Sequence, residues 1–112
     1  MAVKRKDVLS ITVLSLSGSF FGDKETDELS KAIMDEAAKG NMRLVLNLKD
    51  CVALNSIGIG ALMRGHSNYK SRGGEIKLCS LNKRLQQVFV MTKLIMVFDY
   101  HETEEQAIAA FA

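Results

Sequence analysis

The run Arg43 to Gly65, RLVLNLKDCVALNSIGIGALMRG, constrains the fold of this chain more than any other stretch. It opens with Leu44-Val45-Leu46-Asn47-Leu48, a short apolar segment that reads as a buried strand. A brief loop, Lys49 to Leu54, is expected next. From about Ile57 the apolar spacing turns helical and sets Ile59, Leu62, Met63 and His66 on one stripe. Asn55 and Ser56 therefore fall where a strand has ended and a helix begins. Their side-chain oxygens can accept from the unpaired N–H groups of a first helical turn, so either residue can serve as the cap. Ser56 admits a second reading, as a hydroxyl open to modification. A phosphate there would face the positive end of the helix dipole and several free N–H donors. Gly58 and Gly60 leave its surroundings bare of side chains, which lets another backbone come close.

The flanking segments alternate in the same way. Residues 1–7 are polar, with a short edge strand expected at Val3 to Lys6, and Ile11 to Gly18 reads as a strand of about eight residues. Ser19 to Lys24 is expected as a loop and holds Phe20-Phe21-Gly22. One Phe can close the end of the core, or the pair can form an apolar contact beside Ser56; both readings stand. A helix opens at Asp23 or Thr26, carries Leu29, Ile33, Met34 and Ala37 on its apolar face, and stops at Gly40-Asn41. The Ser56 helix ends at Gly73-Gly74. A strand at Glu75 to Ser80, a helix at Asn82 to Met91 and a strand at Ile95 to Tyr100 follow. Thr103-Glu104-Glu105-Gln106 matches a capping box ahead of Ala107, Ile108 and Phe111. Helix and strand alternating to the end predict an α/β fold: a mixed, mostly parallel sheet of four or five strands with four helices.

Composition narrows the function. A chain of 112 residues is long enough for one cored domain, expected over 1–112, and too short for two. Fifteen basic and thirteen acidic residues are interspersed, so no direct contact with nucleic acid is expected; Lys4-Arg5-Lys6 is too short a run to bring one. No apolar stretch approaches the ~18 residues of a membrane span, and no leader pattern opens the chain, which points to the cytoplasm. Cys51 and Cys79 lack metal-site spacing and are expected as free, buried thiols. His66, alone near an apolar stripe, reads as a packing residue. No carboxylate pair, Cys-His pair or Ser-His-Asp set can be placed in one cleft. Gly58-Ile59-Gly60 lacks the third glycine of a dinucleotide loop and the Lys-Ser/Thr of a P-loop. The chain therefore reads as a non-enzyme with no cofactor and no metal.

The stretch LVLNLKDCVALNSIGIGALMRGHSNYKSRGGEIKLCSL resembles the centre of a STAS domain, the module of bacterial anti-sigma factor antagonists. The shared features are an apolar strand, a loop, Asn-Ser followed by Gly-x-Gly and small apolar residues, then Arg72-Gly73-Gly74 and a further apolar strand. The tail TKLIMVFDYHETEEQAIAAF is similar to the family's last strand and helix, so the resemblance covers about Val8 to Phe111. Two positions depart from it: Asn55 stands where many members carry Asp, and Ile57 where serine or a small residue is common. The resemblance implies phosphorylation at Ser56. It also implies a partner surface built from Asn55, Ser56, Ile57, Gly58, Ile59, Gly60 and Met63 with Phe20 and Phe21. The implied partners are an anti-sigma factor that is a serine kinase of the histidine-kinase-like ATPase type, and a PP2C-type phosphatase. The alternative is a STAS subunit of another assembly, such as a lipid-transport ABC complex or another signalling partner-switch, that does not act on a sigma factor.

Overall fold

The computed structural model describes residues 2–111. In chain order they form β1 (Val3–Val8), β2 (Ile11–Phe20), α1 (Lys24–Ala38), β3 (Arg43–Leu54), α2 (Ser56–Ser71), β4 (Glu75–Cys79), α3 (Lys83–Met91), a 3-10 turn (Leu94–Met96), β5 (Asp99–His101) and α4 (Glu104–Ala109). β1 and β2 pair antiparallel across a two-residue turn, Leu9-Ser10, in which Leu9 takes a positive φ of 58°. The remaining neighbours, β2 with β3, β3 with β4 and β4 with β5, are parallel, and spatial order follows chain order throughout.

That order decides where the helices lie. Right-handed crossovers in a sheet whose order never reverses must all pass over the same face. α1, α2 and α3 accordingly cover one face, over a core that includes Leu14, Leu16, Leu44, Leu46, Leu48, Ile76 and Leu78. α4 packs on the opposite face, where Ala107 meets Ile11, Val13, Val45 and Cys79. β3 runs beneath both layers, which is why Leu44 to Leu46 are apolar without alternation.

Several bounds differ from those expected. Lys49 to Leu54 is not a loop: β3 continues to Leu54, pairing Asp50 with Ser17, Cys51 with Gly18 and Leu54 with Phe20. The alternation expected of a strand is broken there by register shifts between Ser15 and Ser17 and between Gly18 and Ser19. β2 likewise extends through Phe20, so only residues 21–23 separate it from α1. Ile95 to Tyr100 is not one strand. Lys93, at φ 63°, turns the chain into the 3-10 turn, and β5 begins at Asp99.

Of the stripe expected on α2, Leu62 is fully buried, but the centre of the buried face is shifted from the one expected. Its buried positions are Gly58, Ala61, Leu62, Gly65 and Tyr69, while Ile59, Met63 and His66 lie half-buried at the flank. The face is made of small residues because α2 sits close to its neighbours: a Cβ on Gly65 would stand 2.9 Å from Ile33 Cγ2 of α1. His66 packs edge-on against Phe98, ring centroids 5.0 Å apart, and burial lowers its pKa.

Charged groups tie the layers together at the edges. Arg5 Nε of β1 meets Glu36 Oε2 of α1 at 2.6 Å. Burial opposes the Glu36 charge, but Arg5 and Asn41 outweigh it and hold the carboxyl below its usual range. Buried Lys77 is flanked by Glu75 and Asp99 and lies under the Phe111 ring, 4.7 Å from Nζ to the centroid. Both cysteines are free and buried, and burial pushes each thiol up to about 11. Among the described residues no helix is long and apolar enough to cross a membrane, and no group of His, Cys, Asp or Glu could hold a metal.

Candidate functional site

Parallel strands end at one edge of the sheet, and that edge is where β3 hands over to α2. Asn55 takes the cap position in extended backbone, and its Oδ1 accepts from Ile57 N at 3.0 Å and Gly58 N at 3.1 Å. The two readings of Asn55-Ser56 are thereby separated: Asn55 is the cap. Ser56 is the first residue inside the helix, exposed, and among the described residues no group bonds its hydroxyl. The first turn carries no acidic side chain, so the positive end of the helix is not neutralised there.

The other end of the Asn55 carboxamide reaches the neighbouring loop. Nδ2 donates to the Phe21 carbonyl oxygen at 3.0 Å, which pins the link between β2 and α1 against the start of α2. Ile57 then folds over Gly22, where a Cβ would fall 2.8 Å from Ile57 Cδ1. Gly22 also has φ +94°, a backbone conformation open to glycine at little cost. Its N–H is satisfied by Thr26 Oγ1 at 2.8 Å. The result is an exposed rim in which Phe21, 49% accessible, and Ile57, 54% accessible, flank the start of α2.

Of the residues expected at a docking surface, Phe21, Ser56 and Ile57 are exposed, and Asn55, Ile59, Gly60 and Met63 are half-buried. Two are corrected. Phe20 is fully buried in the main core, because the strand that was expected to end before it continues and turns its ring inward. Gly58 is buried as well: a Cβ there would collide with the Phe20 carbonyl oxygen. The close approach it permits is made by this chain's own β2, so neither residue can meet a partner directly. Gly22 was missed in the sequence, although a glycine directly after two aromatics was the available sign of a tight fit. From Met63 the rim continues into an open groove of about 670 Å³ between α1 and α2, floored by Ile33 and Ala61 and edged by Met34, Arg64 and Ser67.

Asn55 has one property that the aspartate common at this position lacks. A carboxylate can accept from Ile57 and Gly58 but cannot donate to Phe21, and it would face that carbonyl oxygen with like partial charge. Asn55→Asp is therefore expected to keep global stability within about 1 kcal/mol, because the cap survives and gains from the helix dipole. Amide exchange at residues 21–24 should quicken while the α1 core stays protected. Unchanged exchange in that loop would mean that the Asn55–Phe21 bond does not hold it.

Known proteins share this framework. An anti-sigma F factor antagonist of Paenibacillus polymyxa is 25% identical over 100 residues, 88% of this chain and 84% of the relative. A solved structure from Thermotoga maritima, provisionally described as an anti-sigma factor antagonist, superposes with a TM-score of 0.89 at 22% identity. That match covers 96% of this chain and 92% of the other. The Bacillus cell fate determinant SpoIIAA in its phosphorylated form superposes with a TM-score of 0.77 at 18% identity, over 99% of this chain and the whole of the other. With the strand order, the capped Asn-Ser junction and a family match running from residue 2 to residue 107, this chain belongs to the STAS domain family.

Proposed function

We propose that this chain is an anti-sigma factor antagonist: a binding module, not an enzyme, that docks an anti-sigma factor on the Ser56 edge and is released by phosphorylation of Ser56. The observation that carries the reading is the division of labour at the start of α2. Asn55 does the capping, which leaves the Ser56 hydroxyl exposed at a positive helix end beside the apolar rim of Phe21 and Ile57. The antagonist relative supports the partner class, and a fold neighbour solved in a phosphorylated form supports a phosphoryl switch.

In this reading the anti-sigma factor is a histidine-kinase-like ATPase. Ser56 Oγ attacks the γ-phosphorus of ATP, the oxygen–phosphorus bond forms as ADP departs, and the serine proton is lost to solvent. A PP2C-type phosphatase hydrolyses the ester and returns serine and inorganic phosphate. The docking surface comprises Ser56, Ile57, Phe21, the half-buried Ile59, Gly60 and Met63, and Asn55 as the residue that positions the loop.

Affinity purification of the tagged chain from its native cells, followed by ATP labelling with the recovered ATPase, tests the proposal. The expected result is an anti-sigma-class ATPase that places one phosphate on Ser56. Recovery of a transporter ATPase instead would support the alternative assembly. Stoichiometric label on Thr26 or Ser19 would overturn the assignment of the site.

A further inference from the structure

Phosphorylation of Ser56 would put about two negative charges at a point where the nearest N–H donors are already in use. Asn55 Oδ1 accepts from Ile57 N and Gly58 N, and the Asn55 carbonyl oxygen accepts from Ile59 N. The helix dipole remains, but a hydrogen-bonded counter-charge has to come from a side chain.

α2 carries one arginine, Arg64, eight residues beyond Ser56. It is exposed, and among the described residues it makes no ion pair. No carboxylate lies on α2, and none lines the groove beside Arg64, where α1 presents Ser30, Ile33 and Met34. The guanidinium folds back along its own helix: a Cβ on Gly60 would stand 3.4 Å from Arg64 Nη1. Helical side chains lean toward the N-terminus, so this fork points up the helix toward Ser56. Ser56, Gly60 and Arg64 are spaced four apart, and the residue between the outer two is the one without a side chain. The rise from Ser56 to Arg64 is about 12 Å, and the folded arginine already spans about half of it. The remaining turn is the spacing at which opposite charges on one helix face meet.

We infer that Arg64 is the counter-ion of phosphorylated Ser56, its guanidinium moving one turn along α2 from Gly60 to the phosphate. The inference rests on the proposed phosphorylation of Ser56 and adds the residue that holds the modified state. Arg64 favours the doubly ionised phosphate, and its departure uncovers Gly60, so the docking edge changes in shape as well as in charge.

The test uses the full chain with phosphoserine introduced at position 56 during translation, so neither a kinase nor an anti-sigma factor is needed. Phosphorus NMR follows the second ionisation of the phosphate, ordinarily near about pH 6, at about 0.15 M salt. Arg64→Gln should raise that pKa by about half a pH unit, roughly a threefold change in the ionisation constant. The dipole is common to both proteins, so the difference belongs to the guanidinium. Arg64→Lys should recover part of it, as a point charge without the fork. Lys24→Gln, which removes an exposed cation from the start of α1 at the same edge, should shift it less. An equal pKa in Arg64→Gln, or a shift as large from Lys24→Gln, would overturn the inference. So would an Arg64 Nε–H resonance that stays in place when phosphoserine replaces Ser56. Failure to recover an anti-sigma-class ATPase would count against the partner proposed above and leave this result standing.

Discussion

Ser56→Asp is expected to weaken binding to the proposed anti-sigma factor partner about a hundredfold or more while melting within a few degrees of the unmodified chain. Stability should hold because Ser56 bonds nothing that the fold depends on; Asn55 supplies both cap contacts. A carboxylate at the first position of α2, in a turn with no other acid, gains a few tenths of a kcal/mol from the helix dipole, and a phosphate gains for the same reason. Binding should fall because that charge sits in the rim that Phe21 and Ile57 form. There a partner must remove it from water without offering a counter-charge, at a cost of several kcal/mol. Ser56→Ala should bind constitutively and melt like the wild type. Asn55→Ala, by contrast, should lose about 1 kcal/mol as a lost cap. Calorimetric titration and thermal melts of the three variants decide the matter. If Ser56→Asp binds as tightly as Ser56→Ala, the switch is not electrostatic; if Ser56→Asp unfolds, the serine is structural.

The large-scale architecture could be read in the chain because its signals are local and strong. The Leu44 to Leu48 run, the Gly40 stop after α1 and the Thr103–Gln106 capping box each appear where expected, the last with both of its reciprocal bonds. What was not legible depended on contacts distant in sequence. The strand character of Lys49 to Leu54 exists only because the end of β2 pairs with it through two register shifts. The 3-10 turn before β5 follows from the left-handed conformation of Lys93, a residue with no intrinsic preference for it. At the candidate site the Asn-Ser junction was visible, but not which of the two residues caps. That is settled by the Phe21 carbonyl, a neighbour in space thirty-four positions away in sequence. On α2 the large apolar residues mark only part of the packing face, with Leu62 at its centre and Ile59 and Met63 at its flank. The rest of the face is Gly58, Ala61 and Gly65, which are buried because their size allows the helix to come near.

That distinction yields opposite effects from one substitution made two residues apart. Gly58→Ala puts a methyl group against the Phe20 carbonyl oxygen, with Leu54 Cδ2 at 3.1 Å and Phe20 Cβ at 3.2 Å closing the remaining sides. The obstruction includes backbone on a paired strand, which cannot rotate aside, so α2 must lift from the sheet. Alanine's advantage of about 1 kcal/mol in a helix is outweighed by overpacking, and a net loss of about 2–3 kcal/mol is expected, a fall of roughly 10 °C in Tm. Gly60→Ala meets only Arg64 Nη1 at 3.4 Å, the far end of a flexible side chain, so the helical preference should come through as a gain of up to about 1 kcal/mol. Thermal melts of the two variants test the pair, and a stable Gly58→Ala would mean that α2 does not sit as close to Phe20 as the fold requires. The Gly60 variant then carries information about function that the Gly58 variant cannot. It is the one glycine of the two left half-exposed on the proposed docking edge. If a partner's backbone lies over Gly60, the added methyl group should weaken binding even though it strengthens the fold. Unchanged affinity in that more stable variant would place the partner's closest approach at Phe21 and Ile57 instead.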